Sequence, residues 1–222
     1  MDETMDLERT AKFIRGLDVD FAGLSEVDAH TKRSADVNQA MRLGELTGLH
    51  AVFGKAMPYD GGYYGEAILS RRPFEKIVAH PLPASGRHEP RVLMEAHSVT
   101  LNDKGLRAVF FDTHLDHETS AERLSQVREI NRIASIVNAP LMILVGDFND
   151  SPDNESIREI RKLWTDAGPE PGRLTWPADK PTERIDYIFY RSTVGMKVTK
   201  AEVLDEPLVS DHRPVFAVIE IP

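Results

Sequence analysis

The sequence predicts a mixed α/β or α+β domain. Two observations carry the prediction. Many short apolar runs, several of them paired as hairpins, stop at Gly, Asp, Asn or Pro, and amphipathic segments with helical spacing are interspersed among them. The chain has no internal repeat, low-complexity tract or linker, so residues 1–222 read as one domain.

The elements follow in order. Residues 6–17 form a helix: Asp6 caps it, and Leu7, Ala11, Ile14 and Leu17 share a face. Asp18–Asp20 turn into a short strand, 21–24, that delivers Glu26. A second helix, 36–47, has Val37, Ala40, Met41, Leu43 and Leu46 as its apolar face and Gly48 as its stop. Residues 50–54 are a strand. Tyr59-Asp60-Gly61-Gly62-Tyr63-Tyr64 reads as a glycine-rich loop without the spacing or the Lys-Ser/Thr of a phosphate-binding P-loop. Strands follow at 67–70 and 75–80, and 83–90 is a loop. Residues 91–101 and 106–114 form a hairpin about Asn102-Asp103-Lys104-Gly105. The clearest helix is 120–137, with Ala121, Leu124, Val127, Ile130, Ala134 and Val137 in helical register. A strand at 141–146, a helix near 154–163 and a Pro/Gly-rich loop at 167–183 come next. Strands at 185–190, 197–204 and 214–221 complete the chain.

Composition narrows the function. The 222 residues are 41% hydrophobic and 28% charged, enough for a sizeable core. Without cysteine there are no disulfides, zinc-thiolate sites or thiol nucleophiles. The net charge of −9 disfavours a general nucleic-acid binder, although a local basic patch remains compatible with it. No apolar run approaches the ~18 residues of a membrane span. The acidic start, MDETMDLERT, does not read as a signal peptide, so the chain as it stands is expected in the cytoplasm.

The chemistry gathers where strands stop. Leu141-Met142-Ile143-Leu144-Val145 runs into Gly146-Asp147-Phe148-Asn149, and the i, i+2 spacing aims Asp147 and Asn149 the same way. Glu26, His114-Leu115-Asp116-His117, Asp186 after Ile185, and Asp211-His212 fall at other strand ends or turns. Each alone reads equally as a turn residue or a surface carboxylate, and Asp186 as half of a buried ion pair. Converged, they make an acidic, histidine-containing pocket. Carboxylates hold a hard cation, histidine with a carboxylate behind it takes a proton from water, and amides donate to developing charge.

These motifs resemble the endonuclease/exonuclease/phosphatase superfamily. The matching blocks are Ala22–Asp28, Gly65–Arg71, Thr113–His117, Gly146–Asn149, Arg184–Ile188 and Ser210–Pro214, and they occur in the family's order. The resemblance implies a four-layer sandwich of two mainly antiparallel β-sheets flanked by helices. It implies a metal-dependent phosphoric ester hydrolase using Mg²⁺, with Mn²⁺ as the alternative. Glu26 would be the principal metal carboxylate, with Asp211 at the metal or supporting the site. His212 would be the base and Asp186 its orienting partner. Asp147 would position or activate water, while Asn149 and His114 would hold phosphoryl oxygens.

Three departures stand out. Ser25 replaces a usual glutamine, and Glu66 stands where asparagine is common. The family's first strand, ending in an asparagine, is missing before helix 6–17. A gap in one sheet is therefore expected, filled by another chain or covered by a loop, with a site short of one ligand. Exposed sheet edges also offer a route to a homodimer.

Substrate choice rests on loops. Arg91, Tyr64 and His117 are the substrate-binding candidates, with Tyr59, Tyr63, Arg87 and His88 nearby in sequence. The acidic total and compact loops favour a small or lipid-derived phosphoester. A nuclease or deadenylase of the same chemistry, and a weakly active or inactive chain serving as a binding scaffold, are the alternatives.

Overall fold

The computed structural model describes residues 6–98, 100–101, 105–168 and 173–221. The expected hairpin tip at 102–104 and part of the 167–183 loop lie outside the described residues.

Helix α1 (Leu7–Leu17) starts where the Asp6 carboxylate accepts the Arg9 N–H at 2.9 Å, and it buries Ala11 and Ile14. Strand β1 (Phe21–Ala29) runs past Glu26 rather than ending before it. Helix α2 (Gln39–Thr47) begins three residues later than its periodicity suggests, because Asn38 is the cap; Gly48 ends it in the left-handed conformation. Met41, expected on its apolar face, is 51% exposed; the buried face is Ala40, Leu43 and Gly44.

The expected loop 59–64 is instead the tip of a hairpin. Strands β2 (His50–Tyr59) and β3 (Gly62–Ser70) pair through Tyr59 and Gly62, leaving Asp60 and Gly61, both at positive φ, as the turn. Asp-Gly is a strong two-residue hairpin signal, which the run of tyrosines and glycines disguised as irregular chain. Strands β4 (Phe74–Pro81), β5 (Val92–Ser98) and β6 (Ala108–His114) follow. Helix α3 (Ser120–Ile136), capped by Thr119, crosses over to strand β7 (Leu141–Asp147), which pairs parallel to β6. Helix α4 is shorter than expected (Glu155–Ile160). The two-residue β8 (Thr165–Asp166), β9 (Asp186–Ser192), β10 (Lys197–Val203) and β11 (Val215–Glu220) complete the order.

Four layers result. The six-stranded sheet β4-β5-β6-β7-β9-β8 buries one face under α3 and α4, through Phe111, Leu144, Phe148, Trp164, Tyr187 and Phe189. Its other face packs on the three-stranded sheet β1-β3-β2, with Ile68, Met94, Ala96 and Phe110 between them. Helices α1 and α2 cover the far side of that sheet through Ala11, Ile14, Leu43 and Leu69. At Gly23 the layers meet so closely that a Cβ would sit 2.4 Å from Val145 Cγ2 and 2.5 Å from Asp112 Oδ1.

The layer facing the six-stranded sheet is divided. Among the described residues β1 pairs only with β3, and the two-stranded sheet β10-β11 stands apart, with β11 against β9. The expected interruption is thus present, and there are three hydrogen-bonded sheets instead of two. Ile143, Val145 and Ile188, on the face toward the divided layer, are half-buried, whereas Leu144, Tyr187 and Phe189 on the opposite face are buried. No helix among the described residues is long and apolar enough to cross a membrane.

Candidate active site

Strand register assembles the site. In the six-stranded sheet His114, at the end of β6, sits beside Asp147 at the end of β7, and Asp147 sits opposite Asp186 at the start of β9. Three chemically capable residues thus occupy one row across adjacent strands. Gly146 permits this: its φ is 141°, and a Cβ there would lie 1.8 Å from the Thr113 carbonyl oxygen. Beyond Asp147 the chain turns sharply, with the Asn149 N–H donating to Asp147 Oδ1 at 2.7 Å and Asn149 itself at φ 48°. The buried Asp150 carboxylate anchors the turn by accepting from Asn154 and Ser156, with Arg123 at 3.4 Å. From the opposing sheet, an irregularity between Leu24 and Val27 sets Glu26 at φ 61°. Glu26 and Asn149, two non-glycine residues in the left-handed region, both face the same cavity.

His212 arrives from the segment before β11. Its Nδ1 lies 2.9 Å from Asp186 Oδ2, and its Nε2 lies 3.9 Å from Asp147 Oδ2. Burial disfavours its imidazolium, but the Asp186 hydrogen bond and the charges of Asp186, Asp147 and Asp211 outweigh burial and raise its pKa to about 9. Asp147 moves the opposite way for a carboxylate's usual state. Burial and then the neighbouring Asp186 charge push it up to about 7, against the pull of His212 and the Asn149 N–H. Asp147, Asp186 and His212 each offer a ligand atom, all within 4.8 Å of one another. Glu26, whose side chain is 63% exposed, and the exposed Asp211 stand on the cavity wall outside that cluster.

His114 is buried between cationic and amide groups. Its Nδ1 is 3.1 Å from Arg91 Nη1 and 3.9 Å from Glu26 Oε1; its Nε2 is 2.9 Å from Asn149 Nδ2 and 3.6 Å from Asp147 Oδ2. Asn149 Nδ2 also donates to the Leu115 carbonyl at 3.0 Å. Burial, followed by the charges of Arg91, His212 and His117, holds the His114 imidazolium well below its usual range. Arg91, 3% exposed, also approaches His117 Nδ1 at 3.2 Å and Glu89 Oε2 at 3.1 Å.

These groups surround one open cavity of about 540 Å³, whose wall includes Glu26, Tyr64, Arg91, His114, His117, Asp147, Asn149, Asp211 and His212. Asp186 stands behind His212. The ten residues given a catalytic, metal or substrate-binding role from the sequence are therefore in or against this cavity. Tyr64 is 7% exposed, and burial with the Glu26 charge keeps its phenol protonated. Two further candidates are not placed there. His88 is taken up by Asp116 at 2.9 Å, a carboxylate that also accepts the Glu118 and Thr119 N–H groups and so fixes the loop after His114. Tyr63 lies against Lys55, 4.6 Å from its ring centre.

Sequence reasoning missed other wall residues: Arg33, Met57, Glu89, Trp176, Glu183 and Ile185. Arg33 grips Asp28 at 2.6 and 2.9 Å and stacks over Tyr59 at 4.6 Å. Asp28 lies inside β1 only because the strand runs on to Ala29, beyond its expected end at 24, so the sequence did not signal that a cation must approach it. Trp176, 6.5 Å from the His212 ring, comes from a loop without periodicity.

A layered α/β fold here brings carboxylates, imidazoles and an amide to adjoining strand ends, a donor set with the chemistry to hold a hard cation and an anionic oxygen. The sequence pattern of the endonuclease/exonuclease/phosphatase family matches residues 3–212, and the chain belongs to that family. Among its relatives is the protein YbhP of Escherichia coli K12, 22% identical over 220 residues, covering 94% of this chain and 86% of YbhP. A mannosyl-6-phosphatase from Bacteroides thetaiotaomicron superposes with a TM-score of 0.77 at 20% identity, covering 97% of this chain and 90% of that one. TDP2 from D. rerio, solved with a single-strand DNA product, superposes at 0.75 with 19% identity, covering 99% and 94%. At these identities the solved structures establish the shared fold.

Proposed function

We propose that the protein hydrolyses a small phosphoester, with His212 as general base and a divalent cation as cofactor. The observation that carries the reading is the His212–Asp186 pair beside Asp147, at the edge of a cavity that also holds Glu26, His114 and Asn149.

The donor set suits a hard cation. Glu26, Asp147 and Asp211 are oxygen donors, and no cysteine competes. Asp147 is pushed up first by burial and then by the Asp186 charge, so a cation beside it would favour its ionised form. Glu26, aided by Asp211 or Asp147, would hold Mg²⁺ or Mn²⁺, and the bound ion supplies neutralisation of charge on the phosphoryl and leaving oxygens.

The chain's own residues do the rest. Asp186 accepts from His212 Nδ1, which leaves Nε2 free to take a proton from water on the Asp147 side. The resulting imidazolium sits between Asp186 and Asp147 and is stabilised by both. Asn149 Nδ2 and the His114 ring offer hydrogen bonds to phosphoryl oxygens as charge builds. Glu89 and Glu183 on the cavity wall oppose a polyanion, which favours a compact substrate over duplex DNA. A neighbour of the same fold is a mannosyl-6-phosphatase, in keeping with a small ester, whereas the TDP2 neighbour, with its DNA product, keeps a nuclease as the second reading.

A panel of phosphomonoesters, phosphodiesters and oligonucleotides, assayed with Mg²⁺, with Mn²⁺ and with chelator, tests both. Chelator-sensitive turnover of small esters above oligonucleotides supports the proposal. Faster oligonucleotide cleavage moves it to the nuclease, and no turnover of any ester with either cation refutes it in favour of a binding scaffold.

A further inference from the structure

The Arg91 guanidinium has donors and no acceptor. It is buried, and it points Nη1 at His114 Nδ1 from 3.1 Å and Nη2 at His117 Nδ1 from 3.2 Å. Each of those ring nitrogens therefore needs a lone pair. In a neutral imidazole the proton must then sit on Nε2.

For His114 this meets competition. Asn149 Nδ2 lies 2.9 Å from Nε2, so an Nε2–H faces an amide donor. Turning the amide over does not relieve the contact, because Nδ2 also donates to the Leu115 carbonyl at 3.0 Å, and Oδ1 in its place would face that carbonyl. The opposite tautomer would satisfy Asn149 but aim Nδ1–H at the guanidinium. The two conflicts are not equal. The one at Nδ1 sets a proton against a full positive charge on a side chain only 2% exposed. The one at Nε2 is eased by the Asp147 Oδ2 atom, 3.6 Å away, which draws an Nε2–H.

We propose that Arg91 is a positioning residue that locks His114 in the neutral Nε2–H tautomer. His114 and Asn149 then form a two-donor seat for one anionic oxygen, and His114 does not act as a proton acceptor. Without Arg91, the Glu26 Oε1 atom, 3.9 Å from His114 Nδ1, would be the carboxylate oxygen facing an Nδ1–H in the metal-free protein. That tautomer would present a lone pair to the incoming oxygen and repel it. The seat's use for a phosphoryl oxygen rests on the phosphoesterase reading; the tautomer itself does not.

The test is long-range ¹H–¹⁵N spectroscopy of the full chain with ¹⁵N-labelled histidine, with His114 assigned by the spectrum of His114→Asn. The wild type is expected to show Nδ1 as the lone-pair nitrogen and Nε2 protonated at neutral pH. In Arg91→Met the His114 proton should move to Nδ1. In Arg91→Lys, which keeps a donor and a charge, it should remain on Nε2. Against the best ester of the panel, Arg91→Met should lower kcat by about 10–10³-fold with a smaller change in KM, and Arg91→Lys should recover part of that loss. A wild-type Nδ1–H, or an unchanged tautomer in folded Arg91→Met, overturns the proposal. If Arg91→Met does not fold, the wild-type and Arg91→Lys spectra decide alone. A chain inactive on every ester but with the expected spectra refutes the phosphoesterase reading and leaves the lock standing.

Discussion

His212 Nδ1 and Asp186 Oδ2 are 2.9 Å apart, although 25 residues separate the two in the chain. The Asp186 carboxylate is held at the first residue of β9, opposite Asp147, by the ladder between β7 and β9. His212 is held from its own side by its N–H, which donates to Ser210 Oγ at 3.1 Å. A rigid strand thus orients a residue carried by a turn.

His212→Ala should lower kcat by about two to four orders of magnitude, since it removes the proton acceptor from the proposed mechanism. Asp186→Asn should also be severe, because an amide no longer selects the tautomer with Nε2 free. Steady-state assays on the best ester of the panel check both. A wild-type rate in His212→Ala rejects the proposed base.

The pH dependence has a definite sign. Only neutral imidazole accepts a proton, so with a folded pKa of about 9 the free enzyme's kcat/KM should rise with pH toward that value. A bound cation disfavours the imidazolium and should shift the limb to lower pH. Because this folded pKa lies above the unfolded value near 6.5, the stability from His212 is complete below about pH 6.5 and is lost as pH rises through about 9. An NMR titration of metal-free protein should find the His212 transition near 9, and a much lower one in Asp186→Asn.

Glu26→Gln should act through the cation. The amide keeps the shape and loses the charge, so the Mg²⁺ concentration for half-maximal activity should rise by more than about tenfold, the lower end of what loss of a mere supporting partner costs. A Mg²⁺ titration of activity reads this directly. An unchanged midpoint removes Glu26 from the metal site.

A second pair of carboxylates should govern stability. Glu66 and Asp112 are buried between the two large sheets; neither Asp112 oxygen nor Glu66 Oε2 makes a full hydrogen bond, and the Leu24 and Thr113 amides offset only part of the cost of burying Asp112. Burial pushes Asp112 up to about 8; burial and then the Asp112 charge raise Glu66 well above its usual range. The folded state therefore holds these protons longer than the unfolded chain, and stability should fall as pH rises from about 4 toward 8. Asp112→Asn should flatten that fall and raise Tm at pH 8 by about 2–4 °C. Thermal melts at pH 5.5 and 8 check it, and a lower Tm for Asp112→Asn at pH 8 contradicts it.

Much of the arrangement was legible because strands advertise their ends. Apolar runs that stop at Gly146-Asp147 and at His114 carried the position of the site, and the sheet register needed only to bring those ends together. Helix faces were mostly legible too, but Met41 shows the limit: the packing of α2 buries Ala40, Leu43 and Gly44, and a glycine in the buried stripe is invisible to a count of apolar residues. The cavity wall was not legible. Arg33, Trp176 and Glu183 reach it through tertiary packing of turns and loops, which leaves no period in the sequence. Arg91 was legible as a site candidate, but its partners were not. They come from the end of β6 and the loop beyond it, and only the folded chain shows a guanidinium facing two imidazoles.

The strand ends that meet at Asp147 are expected to make one cation and phosphate site. Crystals grown with Mn²⁺ and inorganic phosphate, with anomalous data collected, test that most directly. The predicted result is a Mn²⁺ peak bonded to Glu26, with a phosphate oxygen between His114 Nε2 and Asn149 Nδ2. Phosphate and Mn²⁺ bound away from this cavity, or no Mn²⁺ bound at all, would contradict it.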